Sequence, residues 1–142
     1  PLGAPRLEVE LTWRGGERFE ITGRSGPAAA AGGPLIDGEG AAGPSPMETL
    51  LAALGSCGGV DVVEILRKGR QDVRGLRIRL VGERSTEVPP RFTAIRVHAF
   101  MRGDVEPSRA ERAVTLAFEK YCSVRSSLDP AMPVIMAVTL EP

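Results

Sequence analysis

Cysteine is scarce in this chain, with two in 142 residues, at positions 57 and 122. That excludes a secreted disulfide scaffold and a structural zinc cage, both of which need more sulfur. Lysine occurs only at 68 and 120, so arginine carries the other 16 positive charges. Net charge is missing altogether: 18 basic residues balance 18 acidic ones. A zero balance speaks against nucleic-acid or anionic-membrane binding, because such affinity rests on clustered positive charge. His98 is the sole histidine, which makes a Cys-His hydrolase a poor fit. An uncharged apolar run is also lacking. Met47 to Leu66 has nearly the length of a membrane span but carries Glu48, Asp61 and Glu64, and charges near a bilayer centre are costly. Pro1 to Glu10 shows no basic segment followed by an apolar run, so no signal peptide is expected and the expected location is a reducing cytoplasm. No glycine-rich nucleotide motif follows a strand, and no cofactor or metal is expected.

What is present is ordinary for a globular protein: 42% hydrophobic and 25% charged residues. The length suits one domain, residues 1–142, with its own core. Leu7, Val9, Leu11 and Trp13 alternate with polar residues, as in a half-buried strand, and Arg14 to Glu17 reads as a hairpin turn into a returning strand over Arg18 to Thr22. Gly23 to Gly33 is rich in Gly, Ala and Pro and reads as a flexible excursion, with a short third strand expected at Pro34 to Asp37. Ser45-Pro46-Met47-Glu48 is a helix start, with a serine cap, proline at the first helical position and a glutamate placed to close a capping box. The helix should run to about Lys68 and stop at Gly69. Gly55, Gly58 and Gly59 lie inside it, each costing about 1 kcal/mol relative to alanine. With Ala52, Ala53 and Ser56 they predict that another helix crosses there.

Leu76, Ile78 and Leu80 predict a strand, and Ile95, Val97, Ala99 and Met101 form one face of another, Phe92 to Arg102. Ser108 and Glu111 form a second possible capping box. Beyond it Ala110, Ala113, Val114, Ala117, Phe118, Tyr121 and Cys122 follow helical spacing on one stripe. Val134, Met136, Val138 and Leu140 make a closing strand. The order of strands, long helix, two strands, helix and strand is an α+β pattern.

The chemistry-bearing residues are few. Two cysteines on separate core-facing helices suit either inert packing or a redox pair. In a peroxide-reducing pair one thiolate attacks the peroxide and becomes a sulfenic acid, the second thiol condenses with it to a disulfide, and an external thiol restores both. The attacking thiolate needs a nearby cation or a helix N-terminus. Cys57 lies 12 residues past Ser45, roughly 18 Å along the helix at ~1.5 Å per residue, too far for the helix dipole to help. Asp61, four residues on from Cys57 on the same face, reads as a structural partner for an arginine. His98 reads as a satisfied or solvent-facing side chain, and Tyr121 as part of the core stripe.

The runs Ser45-Pro46-Met47-Glu48 to Leu54-Gly55-Ser56-Cys57-Gly58-Gly59-Val60-Asp61-Val62-Val63 and Glu119-Lys120-Tyr121-Cys122-Ser123-Val124 resemble the osmotically inducible protein C (OsmC) and organic hydroperoxide resistance (Ohr) superfamily. The resemblance covers essentially the whole chain. It implies an intertwined homodimer whose long helices cross at the centre, wrapped by antiparallel and mixed sheets. It also implies a cysteine-based peroxidase acting on a hydroperoxide substrate, with Cys57 peroxidatic, Cys122 resolving and a dithiol as reductant. In the characterised hydroperoxide reductases of that superfamily a glutamate follows the helix-starting proline and holds an arginine from the first hairpin. Here Met47 stands at that position and Glu48 is the nearest acid. Arg18 is the leading candidate for the arginine, ahead of Arg14 and Arg24, with Arg125 outside the hairpin. The alternative is a dimeric binding module that holds a small apolar or thiol-reactive ligand without turnover.

Overall fold

A computed structural model of the chain describes residues 7–14, 18–32 and 43–142. The chain divides into two compact units, Pro1–Leu50 and Leu51–Pro142.

In the N-terminal unit β1 (Val9–Trp13), β2 (Arg18–Gly23) and β3 (Ala29–Gly32) form an antiparallel sheet in that order. The hairpin is the expected one, with Trp13 opposite Phe19 and Leu11 opposite Ile21. Its turn, residues 15–17, lies outside the described residues, as does the strand expected over Pro34 to Asp37. The segment expected to be a flexible excursion contributes β3, with Ala31 opposite Phe19 and Ala29 opposite Ile21. Alanine is a weak strand former, so the open backbone edge of β2, rather than propensity, places it there. The alternating residues of β1 are exposed rather than half-buried: Val9, Leu11 and Trp13 are 62%, 55% and 62% accessible.

Helix α1 (Pro46–Lys68) opens as its sequence predicts. The Ser45 backbone N–H donates to Glu48 Oε1 at 3.1 Å, and the Glu48 N–H donates to Ser45 Oγ at 3.2 Å. At the other end Arg70, rather than Gly69, takes the left-handed conformation, with φ of 60°. The Gln71 N–H then reaches back to the Leu66 carbonyl at 2.8 Å, as helix-terminating turns do. By length and composition α1 is apolar enough to cross a membrane. Its buried residues Leu54, Val62 and Leu66 instead belong to the core of the C-terminal unit.

That unit contains a three-stranded sheet of β4 (Asp72–Arg84), β5 (Phe92–Asp104) and β6 (Val134–Leu140). Strand β5 pairs antiparallel with β4 and parallel with β6, because the chain crosses over through α2 (Pro107–Leu116) before returning. The predicted inner face of β5 is the centre of the core, with Ile95, Val97, Ala99 and Met101 at most 1% accessible. The cap of α2 differs from expectation: Glu106 occupies it, and its carboxylate accepts from the Ser108 N–H and hydroxyl. Pro107, whose φ is preset for the first helical position, sets this start two residues ahead of the expected box.

After α2 one turn widens into a π-helix, Ala117–Tyr121, closed by the Cys122 N–H on the Ala117 carbonyl. A short helix, α3 (Ser123–Ser126), follows. The extra residue in the wide turn breaks the 3.6-residue stripe. Phe118 and Cys122 remain buried while Tyr121, expected in the core, is 51% accessible.

Candidate redox site

The glycines of α1 explain how this site is packed. A Cβ at Gly58 would collide with the edge of the Phe118 ring, and one at Gly55 would lie 2.6 Å from Leu80 Cδ1. Within the unit these glycines are met by side chains of the π-helical turn and of β4, and the crossing helix expected there is not among their neighbours. Phe118 lies four residues before Cys122, so the notch at Gly58 admits the segment that carries the second cysteine.

Cys57 and Cys122 meet there. They are separated by 65 positions in the sequence, yet the fold makes them neighbours: Cys57 packs against the core cluster that contains Cys122 and lies near enough to act on its thiol. No disulfide joins them, and the two differ in access: Cys57 is half-buried, whereas Cys122 is 2% accessible. Cys122 is not within a helix as its spacing suggested. It stands between the π-helical turn and α3 with extended backbone angles (φ −72°, ψ 110°) and caps α3 with its sulfur. The Arg125 N–H donates to Cys122 Sγ at 3.4 Å, and the Cys122 thiol points at the Leu54 carbonyl oxygen 4.0 Å away. Burial pushes the Cys122 thiol above its ordinary pKa. The Arg125 N–H acts in the opposite direction, and the neighbouring Cys57 adds to the rise. The shift favours the protonated thiol.

The other candidate residues are placed as follows. Arg125 does not present its guanidinium to the sulfurs: Nη1 donates to the Asp129 carbonyl at 3.1 Å and Nη2 to the Met132 carbonyl at 2.9 Å. Its contact with the site is through the backbone. In the N-terminal unit Arg14 is paired with Glu20 at 3.1 Å, and Arg18 opens β2 opposite Gly32. Glu48 is occupied by the capping box; the Ser45 N–H and then its hydroxyl hold the carboxyl below its ordinary pKa. Asp61, expected to pair with an arginine, makes no ion pair among the described residues. His98 is satisfied as expected, its Nε2 lying 2.7 Å from Thr139 Oγ1 and its ring stacked on Phe100. Among the described residues no group of three metal-ligating side chains occurs.

The profile of the OsmC-like protein family matches residues 37–137, most of the chain. The chain belongs to that family. It is 44% identical to Protein YhfA of Escherichia coli K12 over 128 residues, covering 89% of this chain and 92% of the relative. A solved structure of a hypothetical protein from Aquifex aeolicus VF5 is 34% identical and superposes with a TM-score of 0.82 over 98% of this chain and 100% of the other. The organic hydroperoxide resistance protein OhrB of Bacillus subtilis shares the fold at 17% identity, with a TM-score of 0.57 over 94% and 98% of the two chains. An OsmC-like α+β fold thus houses the paired thiols. Sequence reasoning found both cysteines but missed the Arg125 backbone donor and the Leu54 carbonyl. A cap formed by cysteine in place of serine or threonine is the only local signal that pointed to the former.

Proposed function

We propose that this OsmC-like protein is a thiol-dependent peroxidase that reduces hydroperoxides. The observation that carries the proposal is the juxtaposition in one core of two thiols 65 positions apart, in a chain with no other cysteine. Cys57, the more accessible sulfur, attacks the peroxide as a thiolate and breaks the O–O bond. The outer oxygen stays on Cys57 as a sulfenic acid and the rest departs as alcohol. Cys122 enters as a thiol and condenses with that sulfenic acid, releasing water and forming the Cys57–Cys122 disulfide. A dithiol then returns both to the reduced state. Apolar neighbours around the pair, including Leu54, Val62 and Phe118, favour organic hydroperoxides. The activating cation is proposed to be Arg18. Glu48 is the acid nearest the position of the family's glutamate, and its capping bonds favour a supporting part in holding the start of α1.

Two features support a homodimer as the working form. A groove of ≈ 700 Å³ runs along the outer flank of α1, lined by Gly55, Gly59, Val60, Val63, Leu76 and Leu80. Val60 at its centre is 60% accessible, an apolar surface suited to a second α1. One domain over residues 1–142 and a cytoplasmic location complete the reading.

The test is consumption of cumene hydroperoxide by reduced protein with a dithiol present. Wild type should turn over. Cys57→Ser should fall to the uncatalysed background, and Cys122→Ser should react once and then accumulate sulfinic acid. A Cys57→Ser protein as fast as wild type contradicts the proposal. Wild-type thiols that survive peroxide unmodified favour the non-catalytic binding module instead.

A further inference from the structure

The environments of the two sulfurs are unequal, and the inequality bears on how a disulfide between them is opened. We infer that the incoming thiol attacks Cys57 and expels Cys122, and that Arg125 is the positioning residue for the departing sulfur. The inference rests on the peroxidase reading for its biological use, although its chemistry requires only the disulfide.

Access selects the point of attack. A thiolate must reach the sulfur from the side opposite the S–S bond, and Cys122 offers it 2% of its surface. Cys57 is only half-buried. Attack on Cys57 forms a mixed disulfide with the reductant, breaks the Cys57–Cys122 bond and leaves the electron pair on Cys122 Sγ, which then takes a proton. The second thiol of the same reductant attacks the mixed disulfide, closes its own ring and releases Cys57. Two electrons and two protons have then moved from the dithiol to the protein.

A buried leaving thiolate is costly unless something meets its charge. Arg125 supplies that contact through its N–H, 3.4 Å from Cys122 Sγ. Its side chain fixes the direction of that N–H by clamping the carbonyls of Asp129 and Met132 across the loop that follows α3. The guanidinium thus acts on the sulfur through the backbone and does not touch the reacting atoms. The competing approach is a cleft of ≈ 360 Å³ on the other side, lined by Lys120, Cys122, Ser126, Leu128 and Pro130 among others. Entry there would put the mixed disulfide on Cys122.

The experiment forms the disulfide with diamide, without peroxide, then adds 2-mercaptoethanol briefly, quenches in acid, alkylates and maps the peptides. The expected result is the mercaptoethanol adduct on Cys57 and the alkyl group on Cys122. Adducts mainly on Cys122, in equal shares, or on neither overturn the inference. A disulfide that forms with diamide but never with hydroperoxide overturns the peroxidase reading alone. Failure to form under either oxidant overturns both. Arg125→Ala keeps the backbone N–H but releases the clamp that aims it, and should slow release of Cys122 severalfold, up to about the tenfold that full loss of a hydrogen bond to a charged group would give. It should also raise the pH at which Cys122 is alkylated in a Cys57→Ser background, with Arg125→Lys restoring part of both. An Arg125→Ala protein that melts earlier but keeps the wild-type rate and alkylation profile reduces Arg125 to a structural residue and contradicts its assignment.

Discussion

Two strands with the same sequence pattern have opposite fates in this protein. In β1 the alternating residues Val9, Leu11 and Trp13 are more than half accessible, whereas in β5 the equivalent set, Ile95, Val97, Ala99 and Met101, is sealed. Period-two alternation tells which face of a strand is apolar; it does not tell what covers that face. The covered strand lies in the unit that holds both cysteines. Its core orders the two thiols, since α1 and the π-helical turn are held together by the same buried side chains.

The contrast can be broken most severely at Phe118. Phe118→Ala empties the notch at Gly58 and should destabilise the protein by about 3–5 kcal/mol. It should also separate the thiols, so that disulfide yield falls with stability in a denaturant titration. Gly58→Ala attacks the same contact from the other side and should cost about 1–3 kcal/mol, because the ring must move to admit a methyl group. A stabilised Gly58→Ala, as helix propensity alone predicts, would show that the ring does not seat there.

The exposed strand makes the opposite prediction. Leu11→Ala should change stability by no more than about 0.5 kcal/mol in dilute protein, as exposed substitutions do. If a second copy covers β1 in the proposed dimer, that cost should grow with protein concentration and the mutant should shift toward monomer in sedimentation. A large cost that is independent of concentration would mean that β1 is covered within one chain.

The two thiols are a finer version of the comparison. Near neutral pH iodoacetamide should label Cys57 before Cys122, and raising the pH should bring Cys122 up toward it, since burial holds its thiol above the usual value. Equal labelling from the start contradicts the burial argument. The smallest effect belongs to Glu48. Its carboxyl is depressed by Ser45, so its support for the fold is present above the ordinary carboxylate range and is lost as pH falls through the folded-state value. The gap in melting temperature between wild type and Glu48→Ala should therefore narrow on acidification.

Much of this was legible in the residues themselves. Ser45 and Glu48 announced α1, the β5 face was named correctly, and the glycines marked a crowded stretch, though side chains rather than the expected helix fill it within the unit. The approaching group was not legible, because a small residue marks a gap without identifying its occupant. Tyr121 and Cys122 were read on a regular helix, and one wide turn invalidated that count. Such wide turns are rare, and the apolar spacing of this segment carries no mark of one. The start of α2 was misplaced for a simpler reason: Ser108 and Glu111 fit a capping box, but Glu106 ahead of Pro107 satisfied the same N–H first. Both cysteines were picked out from the sequence, while their contact required the fold.

The most direct measurement is the mass of peptides from wild-type protein treated with one equivalent of cumene hydroperoxide and digested without reduction. A single cross-linked species containing Cys57 and Cys122, lighter than its reduced parts by two hydrogens, is the predicted product. Sulfinic or untouched cysteines in separate peptides, with no link between them, would contradict the account.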